Sequence, residues 1–346
     1  MKKILTILLV CLAAMASVFA QGEMESNRKP AAAPAPVFDE YAGQVKTGLA
    51  IIASNAKSKS ATEKADGQGR ADITFAAVTV DGDGRVESCV LDALQGVVKF
   101  SKEGKLTTDK KAEVLSKNEL KEGYGMLRVS KIGKEWYQQA EALSQYVVGL
   151  TADEIKAVTS ASASRNGVDL ASSATIGYSD LLEVIVKAID NAEYAGAKSG
   201  DKLYLESTLS YSKSKDATSK ADGQTQSYAY MSAITVDGDV ISSMVIDSVQ
   251  ATVKFNAKGE ITSDVNAPVQ TKNELKDAYG MLKVSKIGKE WYQQAASFCE
   301  YAKGKTVEEV ATLATDASGK AADADLVSSV TVGIADFTGM VAKIGR

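Results

Sequence analysis

Apolar and β-branched residues in the first half of the chain come in short runs separated by polar, glycine-bearing turns. Val45–Ser54 reads as one strand, followed by a polar turn that ends in Lys64–Gln68. Ala71–Val80 and Arg85–Leu94 then cluster β-formers on either side of Asp81-Gly82-Asp83-Gly84, the signal of a hairpin. Val97–Phe100, the turn Ser101–Lys105 and Leu106–Thr108 make another. Together these four or so strands predict an antiparallel sheet. Beyond them the apolar period becomes helical. Ile132, Trp136, Ala140, Leu143 and Val147 share one face of a helix and define a core stripe. Thr151 with Glu154 in capping-box register starts a second, short helix. Tyr178–Ile189 is amphipathic, with Leu181, Leu182, Ile185 and Ile189 on one side and Ser179 or Asp180 as its cap.

The same order then recurs. Lys202–Tyr211 takes the place of the opening strand, Lys220–Gln224 repeats the turn, and Asp237-Gly238-Asp239 repeats the hairpin. Lys117–Ala140 returns as Lys272–Ala295, and its part Val129–Ala140 returns unaltered as Val284–Ala295. Asp66 corresponds to Asp222, Trp136 to Trp291 and Thr175 to Thr331, with the register shifting by only one residue between these pairs. Such a period is far longer than a solenoid unit, so the pattern predicts a duplicated domain. The expected fold class is α+β: two tandem copies of one domain, each an antiparallel sheet with packed helices, at 37–195 and 196–346.

Composition adds limits. A chain of 346 residues is long enough for two domains that each bury a core, and 45% hydrophobic with 24% charged residues suits a soluble globular protein. Met1-Lys2-Lys3, the apolar run Ile4–Ala20 and its end Val18-Phe19-Ala20 read as a secretory leader cleaved after Ala20. Residues 21–36 have the Pro/Ala-rich composition of a semi-extended tether. The protein is therefore expected to be exported, to the periplasm or beyond. Cys11 sits in a poor lipobox and no other stretch is apolar enough to span a bilayer, so membrane attachment is not expected. The formal net charge of -4 argues against nucleic acid as a partner.

Histidine is absent, which removes the usual general base, the triad imidazole and the common zinc and haem ligand. Outside the leader only Cys89 and Cys299 remain, at non-equivalent places in the two repeats, and they read as buried free thiols. The Asp81-x-Asp83 pair fails as a calcium loop, since Arg85, Val86 and Asp92 stand where a ligand, a glycine and a bidentate glutamate belong. No metal site is expected. What does repeat is Asp169-Leu-Ala-Ser-Ser-Ala-Thr175, matched by Asp325-Leu-Val-Ser-Ser-Val-Thr331, each ahead of a helix-like segment. A threonine just before a helix N-terminus lies where free N–H groups and the helix dipole favour an anion such as phosphate. In a plainer reading these are strand-to-helix connections whose hydroxyls bond nearby backbone.

The pattern Asp-x-x-Ser-small-Ala-Thr resembles the bacterial FMN-binding domain family, found in flavin-carrying subunits of ion-pumping respiratory complexes and in secreted electron-transfer proteins. The resemblance implies that Thr175 and Thr331 each accept FMN through a phosphoester made by a separate flavin transferase. It further implies that Asp169, Ser172, Ser173 and Ala174, with Asp325, Ser328 and Ser329, shape the recognition loops. The family usually has glycine where this chain has Ser173 and Ser329, and alanine where it has Val330. On this resemblance the chain is an electron carrier rather than a catalyst, fed by a membrane or periplasmic donor. The alternative is a flavin-free secreted binding or structural module with a duplicated domain. In the helical stretch, Trp136 is expected as core, whereas Tyr124, Tyr137, Lys131 and Lys134 could approach a bound ring or phosphate.

Overall fold

In the computed structural model, which describes residues 41–158, 164–174 and 176–345, the β-rich runs become long meanders. The proposed leader and tether, at 1–20 and 21–36, lie outside the described residues. Strands β1 (Lys46–Ser54), β2 (Gly67–Val80) and β3 (Val86–Phe100) form an antiparallel sheet with β2 in the centre. The helical part follows as α1 (Lys117–Leu120), 3₁₀ turns at Lys121–Tyr124 and Met126–Arg128, α2 (Trp136–Val147) and α3 (Ala152–Lys156). A two-residue ribbon, β4 (Ser164–Arg165) with β5 (Val168–Asp169), leads into α4 (Leu170–Ser173) and α5 (Tyr178–Asp190).

The second half traces the same path. Strands β6 (Lys202–Ser210), β7 (Gly223–Asp237) and β8 (Val240–Phe255) pair in the same order. Helix α6 (Lys272–Leu275), 3₁₀ turns at Lys276–Tyr279 and Met281–Lys283, α7 (Trp291–Ala302), α8 (Val307–Ala311), α9 (Ala324–Val327) and α10 (Ala335–Val341) complete it. The chain is thus a mixed α and β structure with antiparallel sheets.

Successive side chains on a strand point to opposite faces, and here both faces are covered. On one side of the first sheet, Ala50, Ala76, Val78 and Leu91 pack under Trp136, Leu143, Leu182 and Ile185 of the helices. The second sheet does the same, with Ile234, Met244 and Ile246 under Trp291, Phe298 and Phe337. The remaining faces meet each other: Leu49, Ile51, Ile73 and Phe75 share one core with Leu205, Met231, Ala233 and Val249. The order of layers is helices, sheet, sheet, helices. Each fully buried leucine, isoleucine, phenylalanine, methionine or valine of that shared core contributes about 1.5–3 kcal/mol. Residues 41–346 accordingly cluster as one compact unit.

Paired contacts close the seam. The rings of Phe100 and Phe255 stack with centroids 4.0 Å apart. Lys187 from α5 donates to the Ile51 carbonyl at 2.8 Å and pairs with Glu274 at 2.6 Å, while Lys343 beyond α10 pairs with Glu119 at 2.7 Å. Each bridge joins the tail of one repeat to the first helix of the other.

Four expectations change in detail. The strand break at 95–96 is absent, because β3 runs through Gly96, whose missing side chain admits Ser227: a Cβ there would lie 2.2 Å from its Oγ. The first sheet therefore has three strands. Ile132 is not on the helix, since Gly133 adopts φ 64° and Glu135 caps α2, which starts at Trp136. Gly177 precedes α5, so Ser179 and Asp180 fall inside its first turn instead of capping it. The acceptor-like segments are helical turns, α4 and α9, rather than open loops.

Candidate functional site

In the second repeat the segment is built from its cap outwards. The Asp323 carboxylate accepts from the backbone of Asp325 at 3.0 Å and of Leu326 at 3.1 Å, which starts α9. Leu326 and Val330 are buried in the helix-side core and pin the turn. Ser328 donates to the Asp325 carbonyl at 2.8 Å and Ser329 to the Leu326 carbonyl at 3.2 Å, the local hydroxyl-to-backbone bonds of the plainer reading. Thr331 behaves differently. Its N–H and its hydroxyl both donate to Gln294 Oε1, at 2.8 and 3.1 Å, and the Val332 N–H joins them at 3.1 Å. Gln294 is fully buried on α7 and donates in turn to the Lys289 carbonyl at 3.0 Å.

The first repeat has the same anchor. Gln139 on α2 donates to the Lys134 carbonyl at 3.0 Å and accepts from the Ile176 N–H at 3.2 Å. Asp169 ends β5, and Ser172 donates to its Oδ2 at 3.1 Å and its carbonyl at 3.3 Å. Ser173 and Ala174 are buried. Thr175 itself lies outside the described residues.

Beside the Thr331 turn the second repeat opens a recess of about 310 Å³. Val332, Gly333 and Asp336 form one wall, and Tyr228, Tyr230, Tyr279 and Trp291 form the aromatic ones. Tyr228 and Tyr230 share a face of β7 because they are two residues apart. Between the rings lies Lys272, only 2% exposed, its Nζ 4.4 Å from the Trp291 centroid, 4.7 Å from Tyr228 and Tyr279, and 5.5 Å from Tyr230. It donates to the Tyr228 hydroxyl, which also accepts from Tyr230 at 2.5 Å.

Burial shapes the electrostatics. Desolvation pulls the Lys272 ammonium down to about 7, against the opposing pull of the Asp247 and Asp336 charges. It pushes the Tyr228 phenol up to about 12, and raises Asp336 although Thr208 donates to it at 3.0 Å.

In the first repeat Lys117 keeps this position, 4.7 Å from the Tyr124 centroid and 4.9 Å from that of Trp136. The strand wall differs. Asp72, which faces Gln95 as Tyr228 faces Gln250, pairs with Lys57 and Arg70, each at 2.9 Å, and Thr74 stands where the second repeat has Tyr230.

Of the aromatic and basic residues that the sequence places near a ring or phosphate, Tyr124 is half-buried against Lys117, while Trp136 is core, as expected. Tyr137 turns to Glu122, to which it donates at 2.9 Å, and Lys131 is exposed. Gln139, Gln294, Lys272, Tyr228 and Tyr230 were not singled out from the sequence. Gln294 lies in the unaltered run, and the Tyr-x-Tyr pair is an aromatic stripe on one strand face. Both Cys89 and Cys299 are free thiols, Cys299 buried as expected and Cys89 only partly so, and desolvation pushes each up to about 12. Among the described residues no group of acidic, Cys or His side chains could hold a metal, and no helix is long and apolar enough to cross a membrane.

No family model, curated protein or solved structure matches the chain.

Proposed function

We propose that the chain is an exported carrier of electrons that bears FMN joined by phosphoester to Thr331 and to Thr175, one in each FMN-binding-like repeat. The observation that supports this reading most is the Thr331 hydroxyl. It is held by a buried glutamine from the stretch that both repeats share unaltered, and Thr331 directly precedes Val332, which lines the aromatic recess. Its proton goes to Gln294, and among the described residues no donor points at the oxygen, so its lone pairs stay available for a bond to phosphorus. The residues around it suit a flavin: the recess falls in the lower size range of ligand sites and has the flat walls a ring system needs. Bound flavin would supply acceptance and release of electrons, while the chain sets its position and exposure. Gln294 and Val330 orient the threonine, and Tyr228, Tyr230 and Trp291 shield the adjoining space from water. No catalytic group of the chain is needed. A separate flavin transferase loads the protein, and a membrane or periplasmic donor reduces it.

Intact-mass measurement and peptide mapping test this, on protein from its native host or co-produced with its flavin transferase. One or two FMN additions on the Thr175 and Thr331 peptides are expected, each lost with Thr175→Ala or Thr331→Ala. Full labelling of the double variant, or an unmodified mass under loading conditions, would refute it. The flavin-free binding or structural module draws its support from Ser328 and Ser329, whose hydroxyls are bonded within the turn. An unmodified mass favours that module.

A further inference from the structure

The recess of the second repeat poses its own question, because a lysine is buried there with no carboxylate in ion-pair contact, only the more distant charges of Asp247 and Asp336 opposing its desolvation. Lys272 is almost fully enclosed, yet among the described residues its ammonium hydrogen-bonds Tyr228 alone and forms no ion pair. An ammonium carries three donors. The four ring contacts return about 0.5–2 kcal/mol each, together comparable with the several kcal/mol that burying a charge costs, but they leave two of the three donors without an acceptor. A methionine would fill the same space without that cost. The lysine therefore makes best sense with an acceptor from outside the chain set among the rings.

Access is built in as well. Gly319 and Gly333 both line the recess, and a Cβ on Gly333 would meet nothing closer than the Gly319 carbonyl at 3.5 Å. The arrangement belongs to one repeat, since Asp72 and its ion pairs occupy the counterpart of the Tyr228 wall.

We propose that this recess is a non-covalent binding site for a planar heteroaromatic ring, stacked against Tyr228, Tyr230 and Trp291, with a ring oxygen or nitrogen accepting from Lys272. The site is absent from the first repeat. Stacking of a ring on aromatic side chains contributes about 1–3 kcal/mol per contact by analogy with bases on aromatic platforms. The choice of probe rests on the flavin reading; the binding itself requires no bond to Thr331.

The test uses the mature chain made in a host without flavin transferase, titrated with riboflavin, which lacks the phosphate needed for attachment. Saturable quenching of riboflavin fluorescence is expected. Exchanging the wall for the first repeat's residues, Tyr228→Asp with Tyr230→Thr, should weaken binding at least tenfold, and Lys272→Met should do likewise. Gly333→Val narrows the mouth from an exposed position outside the core, so its tenfold loss is read even where the wall variant unfolds. Absence of saturable quenching by the folded parent overturns the proposal, and so does parent-like binding by both Lys272→Met and Gly333→Val. FMN mapped to Thr331 without riboflavin binding would sink this site and leave the carrier reading standing. Riboflavin binding with no covalent FMN would do the reverse.

Discussion

Replacing Gln294 by leucine removes the anchor of the Thr331 turn while keeping close to the same volume. The oxygen of Gln294 accepts three bonds, two of them from Thr331 and one from Val332, and its amide donates to Lys289. The amide also reaches the Ser285 hydroxyl at 3.4 Å and the Met281 sulfur at 3.6 Å, so the variant removes a partner from six polar atoms. An unsatisfied buried group costs about 1–3 kcal/mol, and the upper end applies only where water is shut out. Thr331 and Val332 are half-buried, so solvent recovers part of the loss. Size contributes little, because volume-conserving swaps are tolerated in a packed interior. The expected loss is about 2–4 kcal/mol, read from the midpoint of guanidinium unfolding at unchanged slope. Hydrogen exchange at the Thr331 and Val332 amides should accelerate more than at the strands. FMN labelling of Thr331 should fall while that of Thr175 persists, and Gln139→Leu should show the opposite selectivity. A loss under about 0.5 kcal/mol, with unchanged exchange, would refute the argument that this side chain holds the turn.

Two further outcomes follow from packing and from charge. Gly48→Ala places a Cβ 2.0 Å from the Ala188 carbonyl, where α5 rests directly on β1, and should destabilise by about 1–3 kcal/mol in thermal or chemical unfolding; parent-like stability would mean that α5 can move away. Burial lifts Asp92 and Asp247 from 3.8 to about 6, so the folded state holds their protons more tightly than the unfolded one. Their contribution is present below pH 4 and is lost as pH rises to about 6. The difference in unfolding free energy between the parent and Asp92→Asn with Asp247→Asn should fall across that window and then level off; a flat difference would overturn the assignment.

How much was legible follows from which interactions are local. Strand alternation, the capping box of Thr151 and Glu154, and the amphipathic Tyr178–Ile189 are properties of neighbouring residues, and they reappear as β1 to β3, α3 and α5. The shared core was harder to see. A strand buried on both faces looks the same whether its second cover is a helix or a sheet, and Leu49, Ile51 and Phe75 carry no mark that their partners lie in the second repeat. Gly96 looked like a strand break because glycine is a poor strand former, while its purpose is the close approach of Ser227, a residue far away in sequence.

The site divides in the same way. The repeated Asp-x-x-Ser-Ser motif is a local string and was found, but what holds its threonine is a glutamine 37 residues earlier on α7. Repetition drew attention to the run that contains Gln294 without assigning the residue a task, because a buried carboxamide and a solvated one are the same letter. The aromatic recess was hidden for a different reason. Comparing the repeats emphasises what they share, and Tyr228 and Tyr230 are where they differ. The exchange of Asp72 and Thr74 for two tyrosines around a lysine that both repeats keep is where the two candidate sites diverge.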